Sequence, residues 1–308
     1  MKETINYYYN FDIDIIENNN SYYSFFYMGV YYYFVFFNRT EEELKDILDI
    51  TKELKLKNIA MHDIVLNRFS SPLTRVGELD YILLKIMGDK NQTFDIVDIN
   101  ELNNKLILNN ASSKLYRNNW SELWSKKNDY LESQIRELGK NKTIILDSFS
   151  YYIGLSENAI SYITRINELN KDNKERIVLS HRRIFYPNTK LNYLNPLSLI
   201  FDLEVRDVAE YIKAAFFNNE DAFLELSTYL KMNKLSNYSY HMLYGRLLYP
   251  TYYFDVYDSI MNNNEDEEKL LNIIKKVDDY ELFLKDVYFE INKYTTLDRI
   301  DWIIKKEL

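Results

Sequence analysis

The sequence predicts an α+β fold in two lobes, a small β-rich N-lobe over residues 1–88 and a mostly helical C-lobe over residues 89–308. Three observations predict it. Short runs rich in β-branched and aromatic residues crowd the N-terminal part, as strands prefer. From about residue 98 onward, apolar residues recur at helical spacing almost to the end. Inside that helical part, the stretch RIVLSHRRIFYPNTKLNYLNPLSLIFDLEVRDVAEYIK (176–213) reads instead as strand, polar loop, strand and helix.

Composition narrows the function classes. A chain of 308 residues is long enough for one large domain or two lobes. Its 46% hydrophobic and 28% charged residues are ordinary for a globular protein. A formal charge of −9 with no basic block argues against nucleic acid as a partner, because that affinity comes from clustered Lys and Arg. The absence of cysteine excludes disulfides, thiolate metal sites and a cysteine nucleophile. The start, MKETINYYYN, lacks the apolar core of a signal peptide, and the greasy stretch 22–37 is too short and aromatic to span a bilayer. The expectation is folding in the cytosol without membrane insertion. Tyr occurs 29 times, which could supply a sticky surface. The Asn runs at 18–20 and 262–264 read as coding bias.

Residues 11–37 read as three strands: one beginning at Ile13, Ile15 and Ile16, a turn over 17–21, a second at 22–28, a turn at Gly29, and a third at 30–37. Thr40 and Glu43 have capping-box spacing and open a helix with Leu44, Ile47, Leu48, Leu54 and Leu56 on one side. Further strands are expected at 60–65 and 81–86. In 118–138, Trp120, Leu123, Trp124, Leu131 and Ile135 fall near helical spacing, so both tryptophans read as core. The next helical region, 141–169, is expected to bend or break at Gly154, with Ser156 capping its second part. Helices follow at 224–232, 238–249 and 265–293. Pro250 ends or kinks one of them, and the acidic run 262–268 is a solvated loop and helix start.

The stretch 176–213 carries the chemistry. His181 and Asn188 stand seven residues apart in the loop, and Asp202 ends the second strand. Phosphotransferases of the protein-kinase and aminoglycoside-kinase type carry H-x-D-x-x-x-x-N followed by a strand and a metal-binding Asp. Here the place of the catalytic Asp is held by Arg183. The degenerate loop 181–188, with strands, helix and strands before it, points to a two-lobed protein-kinase-like (aminoglycoside-phosphotransferase-like) fold. The N-lobe lacks that lobe's means of gripping ATP. The first turn, ENNNS, has no glycine; the third strand, VYYYFVFF, has no lysine; Glu53 on the helix would have no strand lysine to orient.

A family resemblance rests on several segments in order: NNWSELWSKKNDYLE, DSFSYYIGLSENAISYI, VLSHRRI, NPLSLIFDLEVRDVAEYIK, RLLYPTYYFD and IDWIIKKEL. Together they resemble the YutH-type spore coat proteins of endospore-forming bacteria, relatives of the CotS coat proteins. The resemblance implies a two-lobed kinase-like fold, a role in assembling or maintaining the coat, other coat proteins as partners, and passage from the mother-cell cytoplasm to the spore coat.

The loop residues are weighed accordingly. His181 reads as a shape-holding residue of the loop. Arg183 cannot accept a proton near neutral pH, and loss of a positioned base costs roughly 10²- to 10⁴-fold. Asn188 and Asp202 are hard oxygen ligands that read as vestigial Mg²⁺ candidates. Asp207, at a helix start, reads as structural, capping N–H groups or pairing with Arg206 or the loop. His62 and His241 stand without ligand partners, and Ser156 lacks a G-x-S-x-G context. The leading expectation is a pseudokinase-like scaffold of the spore coat. The alternatives are an active ATP/Mg-dependent phosphotransferase, with Asp202 for metal and Asp207 or Glu204 as base, and a nucleotide- or metabolite-binding regulator that uses the cleft without chemistry.

Overall fold

The computed structural model describes residues 1–19, 22–89, 91–105, 113–138, 141–170, 175–184, 188–263 and 265–306. In chain order the elements begin with α1 (Lys2–Tyr9), β1 (Glu17–Asn18), β2 (Tyr22–Tyr27), β3 (Val30–Phe36) and α2 (Glu41–Leu56). They continue with β4 (Asp63–Val65), β5 (Thr74–Val76), β6 (Leu79–Lys85), α3 (Ile96–Lys105), α4 (Trp120–Leu138) and α5 (Thr143–Leu169). Next come β7 (Ile177–His181), α6 (Lys190–Tyr193), β8 (Leu199–Leu203), α7 (Arg206–Phe217), α8 (Ala222–Met232) and α9 (Asn237–Leu248). Last are α10 (Thr251–Asn263), α11 (Leu271–Ile274), α12 (Val277–Ile291) and α13 (Asp301–Ile304).

Contacts divide the chain into two compact units. The first comprises residues 1–94, 109–116 and 187–199; the second comprises 95–108, 117–186 and 200–308.

The first unit is an antiparallel sheet in the order β1-β2-β3-β6-β4, with β5 paired to β6. Alternation along the strands makes it two-sided. Tyr33, Ile82 and Leu84 point to one face and pack with Leu44 and Leu197. Phe25, Phe34 and Leu83 point to the other and pack with Ile5, Tyr9 and Ile13. Each face therefore takes a helix, α2 on the first and α1 on the second. The β2–β3 turn places Met28 (φ 47°) and Gly29 (φ 81°) in left-handed conformations, as a tight hairpin requires. Helix α2 starts at the expected capping box: Glu43 N donates to Thr40 Oγ1 at 3.2 Å, and Thr40 N donates to Glu43 Oε2 at 3.3 Å.

The N-terminus differs from the strand expectation. Ile13 is buried before any strand begins, β1 is only Glu17–Asn18, and the 17–21 turn lies partly outside the described residues. Helix α1, not anticipated, forms because Ile5 and Tyr9, four residues apart, seal the second sheet face.

The second unit is helical around the short β7–β8 sheet. Helix α5 runs unbroken through Gly154 for 27 residues. Burial of Ile145, Phe149, Tyr152, Leu155, Ala159 and Ile163 along it outweighs the roughly 1 kcal/mol that a helical glycine costs. Ser156 caps nothing; it is fully buried and accepts from Asn128 Nδ2 of α4 at 2.5 Å. The N-terminus of α5 is served instead from the acidic run, where Glu267 Oε2 accepts from Ile144 N (3.1 Å) and Ile145 N (3.4 Å). The predicted 265–293 helix is broken into a 3-10 turn, α11 and α12. Many tyrosines are core rather than surface: Tyr152, Tyr229, Tyr244, Tyr253, Tyr257 and Tyr280 are among the largest fully buried side chains.

Candidate functional site

The loop after β7 is held from beneath by the first turn of α7. Asp207 receives His181 N on both carboxylate oxygens at 3.1 Å and lies 2.6 Å from His181 Nδ1. Both side chains are buried. In the structure the Asp207 carboxylate is turned to the loop, one of the contacts its helix-start position allowed. A charge-assisted bond of this kind contributes about 1.5–3 kcal/mol.

The neighbouring residue, Arg206, ties the same loop to β8. Its Nε donates to His181 O at 3.0 Å, its Nη2 to Arg182 O at 3.1 Å, and its Nη1 to Asp202 Oδ2 at 2.6 Å. Asp202 is fully buried, and its other oxygen accepts from Trp120 Nε1 and Leu203 N, each at 2.8 Å. Burial pushes the Asp202 carboxyl above the usual carboxylate range, against the pull of Arg206 and Arg246. The sequence reading took Trp120 as core packing. It is that, at 1% exposure, and also a donor to Asp202.

Asn188 lies in the first unit, where its Nδ2 donates to Phe94 O at 2.6 Å and its O accepts from Phe94 N at 2.9 Å. These bonds extend the Thr93–Thr189 bridge. Arg183, at the place of the catalytic base, donates Nε to Asp255 Oδ1 at 3.0 Å and Nη1 to Arg182 O at 2.9 Å. Glu204 accepts from Ser239 Oγ and Arg176 Nη1, each at 3.2 Å. In the first unit, Glu53 pairs with Lys57 one turn on, at 2.8 Å.

A buried charge network that the sequence reading did not single out lies behind the loop. Pro250 has no N–H, so the carbonyl of Arg246 four residues earlier loses its helical donor. Lys213 Nζ lies 3.1 Å from that carbonyl oxygen, and its three N–H groups are shared among it, Tyr249 O (3.1 Å), Thr251 Oγ1 (2.9 Å) and Glu210 Oε1 (3.0 Å). Arg246 Nε donates to the same Glu210 oxygen at 2.8 Å. Burial would raise the Glu210 carboxyl, but Lys213 and Arg246 hold it down at about 2. Burial lowers Lys213 to about 8 despite Glu210. The Arg246 guanidinium rests 4.4 Å from the Trp120 ring, and Trp124 stacks on Tyr249 at 4.0 Å.

The two remaining histidines are structural. His62 accepts from Met87 N on Nδ1 at 3.1 Å and lies 2.9 Å from Leu191 O through Nε2. This is the pattern of a neutral ring, and burial lowers its pKa. His241 Nδ1 lies 2.8 Å from Tyr162 OH.

Comparison with known proteins agrees with this framework. An aminoglycoside phosphotransferase from Alicyclobacillus acidocaldarius superposes with a TM-score of 0.65 at 8% identity, covering 92% of this chain and 94% of that one. A spectinomycin phosphotransferase, in complex with ADP and spectinomycin, superposes with a TM-score of 0.57 at 13% identity, covering 95% and 97%. These likenesses show the fold, a two-lobed kinase-like one with a small β-rich N-lobe and a mostly helical C-lobe. In sequence, the endospore coat-associated protein YutH of Bacillus subtilis (strain 168) is 30% identical over 213 residues. The match spans 60% of this chain and 61% of that protein's length. A family described as "Spore coat putative kinase YutH" matches residues 2–287. With nearly the whole kinase-like chain inside that match, the protein belongs to the YutH family of spore coat proteins.

Proposed function

We propose that this protein is a structural component of the endospore coat, a pseudokinase that keeps the kinase-like fold as a scaffold and acts in coat assembly. The observation that carries the reading is the state of Asp202. A magnesium ion there would meet the Arg206 guanidinium already 2.6 Å from Oδ2, while Trp120 and Leu203 take Oδ1. Two like charges competing for one buried carboxylate are unfavourable, so the residues present do not fit the metal. Arg183 in the base position and a third strand without lysine support the same reading. So do the fates of the alternative bases: Asp207 is committed to His181, and Glu204 to Arg176 and Ser239.

Membership of a spore coat family supports other coat proteins as partners, with synthesis in the mother-cell cytoplasm before deposition on the spore. Among the described residues no helix is long and apolar enough to cross a membrane. The test is complementation in a sporulating bacterium that lacks its own copy. A fluorescent fusion carrying Glu53→Gln, a change at the helix glutamate that would orient a kinase's strand lysine, should ring the forespore and restore the coat as well as the unmodified fusion does. Mg²⁺-dependent phosphate transfer from ATP by the purified protein would overturn the proposal.

A further inference from the structure

The second unit holds a cavity of about 250 Å³ beside the loop after β7. Its lining is unexpected in a chain with a formal charge of −9. Six cationic side chains line it, Arg117, Lys127, Arg182, Arg183, Arg206 and Arg246, against one acid, Asp255. Lys127 pairs with Asp258, Arg183 with Asp255 and Arg206 with Asp202. Arg246 must share Glu210 with Lys213, so one carboxylate answers two cations. The Arg246 side chain is 3% exposed, and its Nη1 is buried with no hydrogen-bond partner. A buried, unpaired guanidinium N–H calls for an explanation, and a ligand acceptor is one. The lining also includes the apolar and aromatic side chains Leu123, Trp124, Tyr249 and Phe254.

We propose that this cavity binds a small phosphomonoester, its dianion held by Arg246 and Arg183 and its organic part lying against Trp124 and Tyr249. Planar guanidinium groups match phosphate oxygens two at a time, and a dianion offsets more of the cationic excess than a carboxylate would. The volume is below the roughly 300–1,000 Å³ of most ligand pockets, which suits a small ester better than a whole nucleotide. Arg183 is the residue on which recognition turns. Asp255 holds it, and an incoming phosphate takes over that guanidinium. The cationic crowding is already felt at Arg246, where burial and Arg206 lower the pKa to about 10. The inference does not rest on the scaffold reading, because it invokes neither nucleotide nor metal.

The experiment is a titration of the full chain, without ATP or Mg²⁺, followed by fluorescence of the cavity tryptophans Trp120 and Trp124. The probes are phenyl phosphate, inorganic phosphate and benzoate. Phenyl phosphate should bind saturably and more tightly than either of the others. Arg246→Met should weaken it by about tenfold or more, the value of one charge-assisted hydrogen bond. Asp255→Asn should tighten it by freeing Arg183, a gain that misfolding cannot mimic. No saturable change with phenyl phosphate, or an Asp255→Asn variant that binds no better, would overturn the site. Inorganic phosphate or benzoate binding as tightly as phenyl phosphate would overturn the monoester assignment.

Discussion

Arg206 donates to Asp202 across 2.6 Å in a fully buried pair, with the arginine at the start of α7 and the aspartate in β8. The sequence pattern marks this aspartate as a candidate metal ligand. Here it is an internal anchor, and the same guanidinium also gathers the carbonyls of His181 and Arg182.

Removing that anchor should unfold the protein rather than merely silence a site. Asp202→Ala leaves Arg206 buried without its charge partner, a change that costs about 3–5 kcal/mol. Urea unfolding without added metal checks this. An unchanged or raised midpoint, as expected on deleting a carboxylate from an empty metal site, would contradict the assignment.

Asp207→Ala removes three contacts to His181 at once. The expected loss is about 3 kcal/mol, because the His181 amide and ring nitrogen are left buried without this acceptor. The loss should be visible as a lowered urea midpoint and faster amide exchange in β7.

Glu210 gives the acid limb of stability a specific source. Its folded pKa of about 2 lies below the 4.5 of an ordinary glutamate, so on acidification the unfolded chain binds a proton first and stability falls as pH is lowered. Its contribution is complete above pH 4.5 and drains away as pH approaches 2. Of it, about 2 kcal/mol should be gone by pH 3. The double variant Glu210→Gln with Lys213→Met should lack this part of the slope. Parallel stability profiles for the two proteins between pH 5 and 3 would refute the assignment.

Two glycines predict opposite responses to one substitution. At Gly245 of α9, an added Cβ would sit 2.5 Å from Ile163 Cγ2 and 3.2 Å from Tyr162 Cδ1 of α5. Gly245→Ala should therefore cost about 1–3 kcal/mol by overpacking. At Gly154 of α5 an added Cβ meets nothing within 4 Å. Gly154→Ala should stabilise by about 0.5–1 kcal/mol through helix propensity. Melting temperatures of the two variants settle the sign of each.

These residues also show what was legible in the sequence. The capping box at Thr40 and Glu43, the hairpin at Gly29 and the strands flanking the loop follow from local chemistry, and they stand where the sequence puts them. For Asp207 its helix-start position left capping, Arg206 and the loop all open, and only the fold brings its carboxylate to His181, 26 residues earlier. Gly154 misled because a local propensity of roughly 1 kcal/mol was set against long-range burial that no local window contains. Trp120 and Asp202 are 82 residues apart, and nothing in either neighbourhood signals their bond. The Lys213 cluster left one readable trace, a proline whose missing N–H obliges some other donor to serve the end of α9.

The central claim is that the kinase-like fold has given up metal-dependent nucleotide chemistry, and a thermal-shift titration of the purified protein with ATP, with and without Mg²⁺, tests it most directly. A ligand at a hundredfold excess over its Kd would stabilise the folded state by about 2.7 kcal/mol, enough to move the melting point by several degrees. The account predicts no Mg²⁺-dependent shift at millimolar ATP. A Mg²⁺-dependent rise that disappears in an Asp202→Asn variant would contradict it and return Asp202 to the role of metal ligand.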